Sequence, residues 1–173
     1  MRQLLLLRHA KSSWDDPRQS DHGRPLNARG REAAAGMRQA MLALGLAPDV
    51  VLVSSARRTM QTLEALLPWP DTPIIEPMDR LYLATAPQLL AVLNNVAETV
   101  RSVLLVGHNP GLHELAQTLA GSSRDPADAA RLAARYPTGA LAEFAVPGPW
   151  HRLAPGGARL VRFLCPRDLP LPV

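Results

Sequence analysis

The chain has 173 residues, enough for one domain with a complete hydrophobic core. Hydrophobic residues make up 47% of it and charged residues 20%, as in ordinary globular proteins. No apolar run approaches the roughly 18 residues that a membrane-spanning helix needs, and the opening leucine run is too short for a signal-peptide core. We therefore expect a single domain over residues 1–173, located in the cytoplasm and without a membrane partner.

The positive charge comes almost entirely from arginine. The net charge is +4, and Lys11 is the only lysine. Arginine presents a planar fork of donors that matches the geometry of phosphate. The arginines are scattered, however, aromatic residues make up only 4% of the chain, and no basic run reaches five residues. This distribution argues against a nucleic-acid partner.

Short apolar runs alternate with helical patterns along the chain. The leucines of residues 4–7 predict a strand buried on both faces, and Asn27 is a plausible N-cap for a helix that ends near Leu44. Further strands are predicted at 50–53, 74–75, 102–106, 141–146 and 160–164, and further helices at 57–67, 86–96, 112–119 and within 122–137. This alternation predicts a three-layer α/β/α sandwich with a mainly parallel central sheet.

Three of the predicted strands end in basic residues. Arg8 and His9 follow the first strand, Arg57 and Arg58 follow the second, and His108 follows the strand at 102–106. Ligands of open α/β sheets bind just beyond the carboxyl ends of the strands. If these strands are neighbours, their basic groups meet at one edge of the sheet, where a phosphoryl group with its charged oxygens is the natural occupant.

Several phosphate and metal sites are excluded by the sequence. It contains no Gly-x-x-x-x-Gly-Lys loop, which argues against a nucleotide-hydrolase phosphate cradle. It contains no His-x-x-x-His or Cys-x-x-Cys pair either. We therefore expect neither a metal ion nor another cofactor.

The residues at these strand ends resemble a known family. Residues 8–14 (RHAKSSW) resemble the Arg-His-Gly signature of the histidine phosphatase superfamily, whose fold is phosphoglycerate-mutase-like. Residues 54–62 (SSARRTMQT) resemble its second motif, and residues 106–111 (VGHNPG) resemble the block that carries its second histidine. The short chain and the pattern Pro-Leu-Asn-x-x-Gly at 25–30 are most similar to the SixA-type phosphohistidine phosphatase branch.

The resemblance implies a role for four residues. His9 would be the nucleophile, attacking phosphorus and forming a phosphohistidine intermediate that water then hydrolyses. Arg8, Arg58 and His108 would hold the phosphoryl oxygens and stabilise the charge of the transition state. Arg58 is chosen because the family motif places its arginine three residues before the glutamine, here Gln61.

Other residues next to the motifs are secondary candidates. Ser12 and Asn109 could donate hydrogen bonds to phosphate or serve only a structural purpose. Arg57 is expected to be a bystander at the rim of the site, and Trp14 is expected to pack over it.

Two positions depart from the family pattern. Ala10 replaces the usual glycine, a change that the SixA-type branch tolerates. Leu83 stands where mutases and broad phosphatases of the fold carry a general acid, and Asp79 and Glu76 are near but out of register. General acid catalysis typically contributes about 10²–10⁴-fold and matters most for an alkoxide leaving group. A leaving imidazole can be protonated before the P–N bond breaks, so this departure favours a phosphoramidate substrate.

Three functions remain open at this point. The first is a phosphohistidine phosphatase acting on a phosphohistidine-bearing protein, such as a phosphotransfer domain or a phosphocarrier. The second is a small-molecule phosphomonoesterase of the same fold that uses Asp79 or Glu76 as its acid. The third is a non-catalytic binder of phosphate-bearing ligands or nucleic acid. The complete set of Arg8, His9, Arg58 and His108 argues against it, because binding alone does not need a nucleophilic His9.

Overall fold

Seven strands and five α-helices follow one another in the computed structural model, which describes residues 1–169. The last four residues of the predicted domain lie outside the described residues. The strands are β1 Arg2–Arg8, β2 Val50–Ser54, β3 Ile74–Met78, β4 Ser102–Gly107, β5 Ala120–Ser123, β6 Leu141–Val146 and β7 Ala158–Leu164. The helices are α1 Ala28–Ala43, α2 Arg57–Leu66, α3 Ala86–Asn94, α4 Gly111–Leu119 and α5 Pro126–Ala134. Within residues 1–169, no helix has the length and apolar character needed to cross a membrane.

The strands form one sheet in the order β3-β2-β4-β1-β6-β7-β5. β4 lies between β1 and β2 and is parallel to both, and β3 and β5 pair in parallel with their own neighbours. Only β6 runs antiparallel to the strands beside it. The predicted mainly parallel sheet is therefore confirmed, and the three strands with basic ends are adjacent.

The leucines of β1 divide the core into two halves. Leu4 and Leu6 face a cluster that includes residues of α3, α4 and α5, whereas Leu5 and Leu7 face a cluster built with α1 and α2. All four side chains are fully buried. Burial of a leucine side chain contributes about 1.5–3 kcal/mol relative to exposure. Helices thus cover both faces of the sheet, as the predicted three-layer sandwich requires.

One strand was not predicted. The sequence predicts helix and loop within residues 122–137, which overlap the end of β5. The β5 residues Gly121, Ser122 and Ser123 lack the apolar alternation that is typical of a strand. β5 forms because it pairs in parallel with β7, with an irregularity between Ala120 and Ser122. Tertiary pairing therefore decides the structure of this segment.

Two glycines let helices lie directly on the loops that border the sheet edge. A Cβ atom on Gly30 in α1 would lie 2.1 Å from the carbonyl oxygen of Lys11, and one on Gly111 in α4 would lie 1.9 Å from that of Ala84. Both carbonyl oxygens belong to the backbone, so neither can move away from an added Cβ atom without displacing its loop. These contacts fix the loop after β1 and the loop before α3.

We expect Gly30→Ala to destabilise the protein by about 1–3 kcal/mol, the usual cost of overpacking, despite the gain of about 1 kcal/mol in helix propensity. Gly148→Ala is the matched control, because nothing lies within 4 Å of its Cβ position. Urea denaturation measures the free energy of unfolding of both variants. Equal stability of Gly30→Ala and the natural protein would contradict the close contact.

Candidate active site

The four residues assigned to the site come together at the carboxyl edge of the sheet. Arg8, His9, Arg58 and His108 line one cavity of about 530 Å³. The register of the sheet explains this convergence, because Arg8 pairs with Gly107 and the two histidines therefore leave adjacent strands at the same level. The ring centroids of His9 and His108 are 5.3 Å apart.

The His9 side chain is buried and oriented by the backbone. Its Nδ1 lies 2.7 Å from the carbonyl oxygen of Ala10. A carbonyl only accepts hydrogen bonds, so Nδ1 carries the proton and Nε2 keeps its lone pair. Burial, with smaller effects from the positive charges of Arg58 and Arg8, lowers the pKa of His9 to about 4. The imidazole is therefore neutral at pH 7, and Nε2 is available as a nucleophile.

His108 is the second neutral imidazole of the cavity. Its Nε2 lies 2.8 Å from the hydroxyl oxygen of Ser54 at the end of β2. Burial, followed by repulsion from His9 once that ring is protonated and from Arg58, lowers the pKa of His108 to about 3. Two histidines can share this small space because neither is charged at neutral pH.

The two arginines are partly engaged with the protein. Arg8 donates from Nη1 to the carbonyl oxygen of Tyr136 at 3.0 Å, and Arg58 donates from Nη1 to that of Asp21 at 2.7 Å. Burial and the charge of Arg58 lower the pKa of Arg8. The Nε atoms of both arginines and Nδ1 of His108 are buried with no hydrogen-bond partner among residues 1–169. Buried polar atoms are normally satisfied, and these three nitrogens belong to residues that line the cavity.

Asp21 is the carboxylate of this cavity, and the sequence analysis missed it. It accepts from Arg58 Nη2 at 3.1 Å and from Arg24 Nε and Nη2 at 3.1 and 2.9 Å, and it also accepts from the hydroxyl of Tyr82. The hydrogen bond from Tyr82, with those from Arg24 and Arg58, holds the pKa of Asp21 well below its usual range. Asp21 is therefore ionised at neutral pH and serves as a counter-ion.

The loop that carries Asp21 and Arg24 is held by motif residues. The backbone N–H of Leu26 donates to Gln61 Oε1 at 2.8 Å, and Leu26 forms an isolated antiparallel bridge with Ser12. In the sequence, Asp21 and Arg24 are opposite charges three residues apart, immediately before the Pro-Leu-Asn-x-x-Gly pattern at 25–30. This pair is the sequence feature that could have identified Asp21 as a site residue.

The secondary candidates divide between the cavity and the surface. Ser12 and Asn109 line the cavity. Ser12 accepts from Arg24 Nη1 at 2.8 Å, and Asn109 donates from Nδ2 to the carbonyl oxygen of Tyr136 at 3.0 Å. Arg57 is exposed and is not part of the described cavity lining.

The two carboxylates considered as general acids lie elsewhere. Asp79 is exposed and accepts from the hydroxyl of Ser55 at 2.5 Å, and Glu76 projects from β3 beside a different groove. Leu83 lines the cavity, at the position where the family pattern would place an acid. Among the described lining residues, Asp21 is the only carboxylate.

The cavity suits an oxyanion. Its lining carries four cationic side chains against one carboxylate, the cations being Arg8, Lys11, Arg24 and Arg58. Within the part of the chain that the structure describes, no group of three histidine, cysteine, aspartate or glutamate side chains is arranged to hold a metal ion. Cationic side chains and imidazole N–H groups bind and stabilise a phosphoryl group through hydrogen bonds and charge.

Comparison with known sequences places the chain in a family. The model of the histidine phosphatase superfamily (branch 1) matches residues 4–81. An uncharacterized protein of Mycobacterium tuberculosis is 40% identical over 168 residues, which cover 93% of this chain and all of that protein. An uncharacterized chloroplastic protein of Arabidopsis thaliana is 34% identical over 132 residues, which cover 70% of this chain and 61% of that protein.

Solved structures agree with this assignment. A protein from Nakamurella multipartitia, described as a candidate phosphohistidine phosphatase SixA, superposes with a TM-score of 0.83 at 31% identity, covering 95% of this chain and 96% of that one. The protein histidine phosphatase SixA complexed with tungstate shares the fold, with a TM-score of 0.74 at 24% identity over 96% of this chain and 98% of that one. With its phosphoglycerate-mutase-like fold and these relatives, the chain belongs to the histidine phosphatase superfamily.

Proposed function

We propose that this protein is a phosphohistidine phosphatase that transfers the phosphoryl group of a protein phosphohistidine to Nε2 of His9 and then to water. The observation that carries the proposal is the state of His9. Its Nδ1 is bound to the Ala10 carbonyl, its pKa is lowered to about 4, and it lies in a cavity lined by arginines. A neutral, oriented imidazole beside fixed cations is suited to attack an anionic phosphorus centre.

The reaction has two displacements at phosphorus. In the first, the lone pair of His9 Nε2 forms a P–N bond while the P–N bond to the substrate imidazole breaks, and that imidazole leaves with a proton. In the second, water attacks phosphorus, the P–N bond to His9 breaks, and inorganic phosphate leaves. Arg8, Arg58 and His108 hold the equatorial oxygens in both steps through the nitrogens that lack protein partners.

The surroundings of the leaving group favour a phosphoramidate over a phosphate ester. An alkoxide needs a proton from a general acid, but Leu83 occupies the family position and the cavity carboxylate Asp21 is held ionised. An imidazole can take its proton from solvent before it leaves. The absence of a carboxylic acid from the described lining therefore costs little for phosphohistidine and much for an ester.

A short-lived phosphoenzyme tests the nucleophile. On brief mixing with phosphoramidate, intact mass spectrometry should detect one added phosphoryl group that is labile in acid. His9→Ala should form no adduct and lose at least about a thousandfold in kcat/KM, since the nucleophile is removed. His151→Ala is the matched histidine control, because that side chain is 60% exposed and lies outside the described cavity lining.

Two results would contradict the proposal. An adduct that persists in His9→Ala would assign the nucleophile to another residue. Binding of inorganic phosphate without adduct or turnover in the natural protein would favour the non-catalytic binder.

The protonation of His9 gives a second test. Since its pKa is lowered to about 4, the imidazole should stay in the neutral Nδ1–H form as the pH is reduced to about 5 and be protonated only as the pH falls through about 4. The nucleophile is thus lost on the acidic side and remains intact at neutral pH. Nitrogen-15 NMR of the histidine rings measures this titration, with free histidine as the reference. A midpoint near 6.5 would show that His9 is charged too readily for this mechanism.

The phosphomonoesterase alternative is tested by removing its proposed acids. In the double variant Glu76→Gln/Asp79→Asn, kcat/KM for phosphoramidate and for glycerol phosphate should stay within about twofold of the natural protein, because both side chains lie outside the described cavity lining. Glu64→Gln, an exposed change on α2, is the control. A loss of about a hundredfold or more with glycerol phosphate alone would support the alternative.

A further inference from the structure

Two large apolar side chains are exposed at the mouth of the cavity. Trp14 is 74% exposed and Leu83 is 54% exposed, and both line the cavity that contains His9. They come from different loops, one after β1 and one before α3. The contacts proposed between the phosphoryl group and Arg8, His9, Arg58 and His108 involve neither side chain.

Trp14 is held in its exposed position by a buried cation. The guanidinium carbon of Arg24 lies 3.4 Å from the centroid of the Trp14 ring, and Arg24 itself is only 8% exposed. Arg24 is fixed in turn by Asp21 and Ser12. Stacking of this kind contributes about 0.5–1 kcal/mol at exposed sites. One face of the indole is thus covered by Arg24, and the remainder is presented to solvent as an apolar surface.

Leu83 is exposed by a backbone that leucine does not favour. Its φ angle is +50°, in the left-handed region, which costs a residue with a branched side chain roughly 1–2 kcal/mol. Leu81 and Ala84 on either side are buried, and the carbonyl oxygen of Ala84 packs closely against Gly111 of α4. The loop is therefore fixed, and a residue in a sparsely populated conformation at a cavity mouth points to a functional use.

We infer that Trp14 and Leu83 form the docking rim for a folded protein that carries the phosphohistidine, each packing against the surface around the modified side chain. The inference rests on the proposed function and identifies the surface that selects its substrate. Aromatic anchors with few free rotations dominate protein interfaces, and rigid surfaces lose little entropy on binding. The cations of the cavity face the phosphoryl group at the centre of this contact, which matches the charge of such a partner.

The alternative substrate is a small phosphorylated molecule that does not contact the rim. Phosphoramidate has no atoms beyond the phosphoryl group and one nitrogen, so it would reach the nitrogens at the base of the cavity and leave the rim untouched. A folded partner must contact the rim while its phosphohistidine reaches His9. A rim substitution should therefore slow hydrolysis of a phosphoprotein and leave hydrolysis of phosphoramidate unchanged.

The experiment compares two substrates. One is a histidine-containing phosphotransfer domain that has been phosphorylated chemically with phosphoramidate, and the other is phosphoramidate itself. The variants are Trp14→Ala, Leu83→Asn and their combination. Asparagine tolerates the left-handed region better than leucine, so Leu83→Asn removes the apolar side chain without loss of stability. Leu42→Ala on α1 removes an exposed leucine that does not line the cavity and is the control.

We expect the double variant to lose about tenfold or more in kcat/KM with the phosphoprotein, as for the loss of interface anchors, and to stay within about twofold with phosphoramidate. Equal losses with both substrates would overturn the inference, because the rim would then act on the cavity itself. No loss with either would also overturn it while leaving the phosphatase proposal intact. Failure of the natural protein to hydrolyse the phosphoprotein, with fast turnover of phosphoramidate or glycerol phosphate, would overturn the proposed function as well.

Discussion

Cationic crowding at the carboxyl edge of the sheet is the constraint on which the site depends. The parallel register of β1, β4 and β2 brings Arg8 and Arg58 into one partly buried space, and the pKa of Arg8 is lowered as a result. Asp21 offsets this repulsion by binding Arg58 and Arg24 together. The same carboxylate ties the loop after β1 to the sheet edge. A phosphoryl group adds negative charge where the protein supplies only one carboxylate, so the balance of the cavity favours the anion.

Burial, reinforced by this crowding, determines the protonation state of the histidines. Burial and nearby positive charge both oppose protonation, and they lower the pKa values of His9 and His108 to about 4 and about 3. A backbone carbonyl, from Ala10, selects the tautomer of His9 and cannot change its own protonation. Ser54 holds His108 at the end of the neighbouring strand. The sheet therefore sets both the position and the chemical form of the two rings.

Local patterns predicted the sheet and the four converging residues, but not the loop that completes the site. β1, β2 and β4 are apolar runs that end in motif residues, and both features can be recognised within a few positions. Asp21 and Tyr82 meet only because the loop before α1 is anchored by distant contacts, such as Leu26 to Gln61. β5 escaped prediction for the same reason, since its polar residues form a strand only beside β7. What the sequence leaves open are the contacts between segments far apart in the chain.

The base of the cavity and its rim would contact different parts of a substrate. The base of the cavity offers charge and hydrogen bonds that fit any phosphoryl group, and such contacts do not distinguish one phosphorylated molecule from another. Discrimination must come from groups that touch the remainder of the substrate. Among the lining residues that the structure describes, the exposed side chains are Lys11, Asp21, Trp14 and Leu83, and only the last two are apolar. If the proposed function holds, a rim of two apolar side chains would offer little to a small polar ester and much to a protein surface, and we propose that this difference governs substrate choice.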